Sequence, residues 1–188
     1  MKSRFLSLIV PALLALFQLN ARAEDIDLFT GAGSGVVAQA PNLLLQKFPA
    51  PAFVATTKLS FTPRMDGDRT GLVVMGADYS WVGLRKRGDE LRLVQVACRG
   101  ADTGGVEQEI ASAPGAPTVW LRARVANDAN VRFSYSTDGN GFTAIGEPVA
   151  AKAGRWIGAK VGLFALGTGP AWEFGYSDVD WFRIEAAE

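Results

Sequence analysis

Polar and apolar residues alternate with a period of two along most of this chain, which is the repeat of a strand and not of a helix. Phe53, Ala55, Thr57, Leu59 and Phe61 interleave with Val54, Thr56, Lys58 and Ser60, as a strand with one buried face requires. Comparable runs follow at 43–48, 71–75, 80–87, 90–97, 106–110, 119–125, 131–136, 160–165 and 179–185. Turn formers separate them: Asp66-Gly67, Gly88-Asp89, Asp138-Gly139-Asn140-Gly141 and the Pro/Gly cluster at 113–117. Short strands at this spacing, with no helical-period segment between them, predict an all-β fold: an antiparallel two-sheet β-sandwich or jelly roll. No repeat and no linker interrupts the pattern, so residues 41–188 are expected to form one domain.

The amino-terminal stretch reads differently. Lys2 and Arg4 precede an apolar run, Phe5 to Leu19, and Ala21-Arg22-Ala23 supplies a small-x-small cleavage pattern. Together they predict a secretory signal peptide over 1–23, with Glu24 opening the mature chain. The run is shorter than the ~20 residues that a helix needs to cross a bilayer. The expectation is export, to the periplasm or the medium, with no membrane partner after cleavage. Residues 24–40, rich in Gly, Ala and Ser, predict a flexible lead-in.

Composition then narrows the chemistry. The chain has no histidine, which removes Ser-His-Asp and Cys-His nucleophile systems and His-based zinc sites. A single cysteine, Cys98, excludes internal disulfides and multi-cysteine metal cages, and its apolar surroundings suit a small buried hydrophobe. Without Lys2, Arg4 and Arg22 the 19 basic residues become 16 against 19 acidic ones, a net charge of −3. Nucleic acid is therefore not an expected partner.

Several segments, in collinear order, resemble the C-terminal concanavalin A-like domain of glycoside hydrolase family 43 β-xylosidases. They begin with Pro41-Asn42-Leu43-Leu44-Leu45-Gln46-Lys47-Phe48-Pro49-Ala50-Pro51 and Ala55-Thr56-Thr57-Lys58-Leu59. Asp68-Arg69-Thr70-Gly71-Leu72-Val73-Val74-Met75-Gly76 and Phe133-Ser134-Tyr135-Ser136-Thr137-Asp138-Gly139 follow. The last two are Gly154-Arg155-Trp156-Ile157-Gly158-Ala159-Lys160-Val161-Gly162-Leu163-Phe164 and Asp178-Val179-Asp180-Trp181-Phe182-Arg183. The resemblance implies the same two-sheet sandwich that the alternation predicts. It also implies that catalysis in the family belongs to a preceding five-bladed propeller carrying two aspartates and a glutamate, for which these 188 residues have no room. A non-catalytic accessory module for a xylan-like glycan is expected. The alternative is a structural subunit or remnant that docks a separately encoded family 43 hydrolase.

Strand alternation sorts the polar positions onto faces. With Val119, Leu121, Ala123 and Val125 inward, Trp120, Arg122 and Arg124 point outward. With Val82 and Leu84 inward, Trp81, Arg85 and Arg87 do the same, and Glu107 and Glu109 form a further outward pair. If these strands share a sheet, they make an aromatic platform lined with charge. Sugar rings offer apolar C–H faces to indole and hydroxyls to Arg and Glu, so the platform suits a carbohydrate. The same pattern is equally an ordinary cation–π and ion-pair decoration. Trp172, with Phe174 in the loop 166–174, is a further carbohydrate candidate. Asp178 and Asp180 are weak candidates for a structural calcium, and no other cofactor is expected. Glu107 and Glu109 have a spacing compatible with a hydrolytic carboxylate pair, but their neighbours read as solvated, which does not suit an acid/base role.

Overall fold

The computed structural model describes residues 26–29, 31–32, 36–154, 158–169 and 175–187. The expected signal peptide, Trp172 and Phe174 lie outside them. In chain order the strands are β1 (Ile26–Phe29), β2 (Gly31–Ala32), β3 (Asn42–Lys47), β4 (Phe53–Thr62), β5 (Arg69–Met75), β6 (Tyr79–Arg87) and β7 (Glu90–Cys98). They continue as β8 (Glu107–Pro114), β9 (Thr118–Val125), β10 (Asn130–Ser136), β11 (Thr143–Ala144), β12 (Val149–Ala150), β13 (Lys160–Gly167) and β14 (Tyr176–Ala186). Among the described residues, helix is confined to two 3-10 turns, Val37–Gln39 and Ala101–Thr103.

Two sheets face each other. The front sheet runs β1-β14-β4-β9-β10-β11, with β12 also on β10, and the back sheet runs β2-β13-β5-β6-β7-β8, with β3 also on β13. The pairs are antiparallel, as the turns predict, except β13 with β2, which is parallel. Alternate residues of both sheets fill the space between them. Phe53, Leu59, Leu121, Val125 and Phe133 of the front sheet meet Leu72, Val82, Leu84, Leu93 and Leu163 of the back sheet in one core.

A second apolar cluster lies on the outer face of the back sheet, where Val73, Trp81, Val94, Val96 and Phe164 pack with Val37. Leu43, Leu45 and Ala40 cover its flank. This explains why Leu72-Val73-Val74 is a continuous apolar run: β5 is buried on both faces. Within 24–40, β1 pairs with β14 of the front sheet, β2 pairs with β13 of the back sheet, and Val37 is fully buried.

Candidate functional site

The outer face of the back sheet holds Trp81 and Arg85. Both point away from the intersheet core, as alternation predicts, but Trp81 has no exposed surface. Its ring meets Phe164 edge-on at 5.1 Å, under the cover of the Val37 segment. Glu107, expected among solvated neighbours, is the hub of a half-buried network. Its carboxylate accepts hydrogen bonds from the Tyr79 hydroxyl at 2.8 Å and from the Trp81 indole at 3.4 Å. It is flanked by Arg85 at 3.5 Å and Arg69 at 3.9 Å, while Glu109 takes Arg85 and Arg87. Burial pushes both guanidinium pKa values below the usual range, and for Arg85 the facing Arg69 adds to this; Glu107 pulls both back up. Burial, then the neighbouring carboxylate, pushes the Tyr79 phenol above its ordinary range. These residues hold one another in place and leave no indole surface for a ligand.

The outer face of the front sheet differs. Three cross-strand rows run over β14, β4, β9 and β10: Trp181-Lys58-Trp120-Ser136, Arg183-Thr56-Arg122-Ser134 and Glu185-Val54-Arg124-Arg132. The expected single platform is thereby corrected, because Trp81 and Trp120 belong to different sheets. The partner of Trp120 is instead Trp181, which counting by twos from the buried Val179 places inward. A bulge between Val179 and Trp181 shifts the register and turns Trp181 outward, while Phe182 stays in the core. The buried Thr57 hydroxyl donates to the Trp181 carbonyl at 2.8 Å and fixes that bulge.

With one strand between them, the two tryptophan backbones stand about 10 Å apart, twice the strand spacing. Trp120, Trp181, Phe142, Arg122, Arg183 and Glu185 outline a shallow depression of 220 Å³ floored by Thr56. Arg122 lies over the Phe142 ring at 3.5 Å, Arg183 over Trp181 at 4.5 Å and Lys58 over Trp120 at 5.4 Å. Each cation is thereby held against a ring, and Arg122 also donates from Nε to the Thr56 hydroxyl at 3.3 Å. One wall is the β10–β11 turn, where Gly139 takes φ +81° and touches the indole; a Cβ there would stand 2.9 Å from the ring. Asp138 folds this turn by accepting the amides of Asn140 and Gly141 and the Ser136 hydroxyl.

A larger cleft of 440 Å³ opens beside β8, the edge of the back sheet. Val74, Ala97, Gln108 and Ile110 face Val149 and Ala151 across it. The fully buried Gln95 bridges the sheets there, donating to the Glu147 carbonyl at 2.8 Å and accepting the Glu147 amide at 2.9 Å. At the mouth Lys152 pairs with Asp78 at 2.6 Å. Burial raises the Asp78 pKa, but Lys152 and the Gly100 amide outweigh it and hold the carboxyl below the usual range.

Of the other expected residues, Arg124 sits on the front face, one row from the depression. Asp180 occupies the bulge and pairs with Lys58, while Asp178 stands opposite Ser60. No cluster of three or more acidic, Cys or His residues occurs among the described residues. Cys98 is buried, and burial pushes its thiol pKa up.

Fold and sequence together can now be set against known proteins. A profile of the family described as the beta xylosidase C-terminal concanavalin A-like domain matches residues 1–185. The chain belongs to this family. Its sandwich superposes on the GH43 protein BlXynB of Bacillus licheniformis with a TM-score of 0.74 at 23% identity, covering 87% of this chain and 33% of that one. A bifunctional GH43-CE protein of Bacteroides eggerthii gives 0.78 at 26% identity, covering 89% and 22% respectively. This domain thus spans a third or less of those two proteins. A legume lectin-like domain from Entamoeba histolytica shares the fold at a TM-score of 0.52 and 11% identity, over 86% of this chain and 90% of that one. No curated protein matches the chain significantly.

Proposed function

We propose that this chain is an exported, non-catalytic accessory module of the glycoside hydrolase family 43 type, which binds a xylan-like carbohydrate on the outer face of its front sheet. The observation that carries this reading is the pairing of Trp120 and Trp181 on one face, with Arg122, Arg183, Glu185 and Thr56 between and beside them. Indole faces take the apolar side of a sugar ring, while guanidinium and carboxylate groups exchange hydrogen bonds with its hydroxyls. A shallow, open depression suits the side of a polymer better than a single small molecule. Calorimetric titration with xylo-oligosaccharides tests this. Binding is expected for the wild type, weakened about fivefold in Trp120→Ala or Trp181→Ala, since one stacking contact is worth roughly 1 kcal/mol. Absence of heat from the wild type overturns it. Purified protein is expected to leave aryl-xylosides and aryl-arabinosides intact.

A second reading, docking onto a separately encoded family 43 hydrolase, draws on β8. That edge strand presents Ile110, 37% exposed, and Val106, 77% exposed, directly precedes the strand; both line the larger cleft. Co-elution with a separately produced family 43 propeller, abolished by Ile110→Lys, supports docking; independent elution of the two overturns it.

A further inference from the structure

We infer that the chain forms a two-fold homodimer in which β3 of one copy pairs antiparallel with β3 of the other, joining the two back sheets edge to edge. The surface involved lies apart from the front face to which carbohydrate is assigned above.

β3 is an edge strand with one side open. It pairs with β13 along its whole length, from Asn42 opposite Ala165 to Lys47 opposite Lys160, and among the described residues no strand pairs with its other side. One step beyond that ladder the Phe48 amide donates to the Ala159 carbonyl at 3.0 Å. By the alternation of an antiparallel pair, the backbone groups of Leu44 and Gln46 therefore turn to β13, and those of Leu43, Leu45 and Lys47 turn to the open edge.

The two edges of the back sheet differ in how they are protected. β8 carries a register shift, two glutamates and a proline, which are features that keep an edge from pairing with another chain. The segment Asn42 to Gln46 has none of them: its register on β13 is regular, and it holds no charge and no proline. Leu44 is 45% exposed, opposite the core residue Leu163. Leu43 and Leu45 lie on the other face, against the second apolar cluster.

The strand also complements itself. In either direction, residues 42–46 run amide, Leu, Leu, Leu, amide. A two-fold axis perpendicular to the sheet pairs residues of the same face, so the register must be centred on a residue. Centred on Leu44, it sets Leu43 against Leu45, Asn42 against Gln46 and Pro41 against Lys47, and no like charges meet. The outward backbone groups of Leu43 and Leu45 then bond each other. Leu44 meets its own copy in a non-hydrogen-bonded pair, where side chains approach most closely. Centring on Leu45 instead would set Leu44 against Gln46 and Leu43 against Lys47, apolar against polar. The apolar gain comes from covering Leu44 and from extending the second cluster with the partner's Leu43 and Leu45. Both front sheets then lie on one side of the joined sheet, which, on the carbohydrate reading above, lets one polymer engage two faces.

Sedimentation equilibrium of the purified protein tests this without any sugar. The average mass is expected to rise with concentration to twice that of the protomer. Leu44→Lys and Leu44→Glu alter a half-exposed position and set like charges on the axis, so each variant alone is expected to stay monomeric. An equimolar mixture of the two is expected to recover the doubled mass, because the axis then brings opposite charges together, and that recovery also shows both variants folded. A wild type that keeps the protomer mass up to its solubility limit overturns the inference. Dimers that persist in both single variants, or a mixture that stays monomeric, overturn it as well.

Discussion

Arg85 and Arg122 look alike in sequence, four and two positions along a strand from an outward tryptophan, and they have opposite fates. Arg85 is held by two carboxylates over a covered indole; Arg122 lies on Phe142 at the rim of an open depression. The difference lies in what covers each face. Glu107 shows the cost of covering charge. In Glu107→Ala, Arg69 and Arg85 keep their burial and lose the carboxylate they share, with Arg85 retaining Glu109, so a loss of about 3 kcal/mol is expected in chemical unfolding. Glu107→Gln keeps an acceptor for Tyr79 and Trp81 and should lose less. Asp78 sets a pH dependence. Its pKa is depressed in the fold, so its contribution is complete above the unfolded value near 3.9 and is lost as pH falls through the lower folded value. Amide exchange at Gly100 should accelerate on acidification over that window, and Asp78→Asn should flatten the response.

At the scale of elements, period-two alternation located nearly every long strand, because each of them buries one face or both. It failed where the period itself breaks. From the buried Val179, counting by twos puts Trp181 in the core, and one extra residue in β14 puts it on the surface. Alternation alone gives no warning of such a bulge, although Trp181 stood within a family-like segment. Trp81 was assigned to the correct face, yet its cover comes from Val37, which lies 44 positions earlier in a segment that reads as loose. Two substitutions test the elements. Thr57→Val removes the donor to the Trp181 carbonyl and should cost about 1 kcal/mol while shifting the indole fluorescence. Gly139→Ala forces a side chain into a positive φ and against Trp120, and should cost at least about 1 kcal/mol and weaken ligand binding.

Across the whole molecule, the two sheets have different tasks on their outer faces. The back sheet uses its outer face to seat the amino-terminal segment, with β2 and β3 both on β13 and Val37 in the second cluster. Val37→Asp, a charge placed in that cluster, should lower the unfolding midpoint without altering the front face. The front sheet leaves its aromatic rows open, and on this the functional account depends. Nuclear magnetic resonance of the five tryptophan indole N–H groups during titration with xylo-oligosaccharide tests it most directly. The account predicts progressive shifts for Trp120 and Trp181 and none for Trp81. Unmoved Trp120 and Trp181 signals at saturating ligand, or shifts confined to residues around Ile110 and Val149, would contradict it.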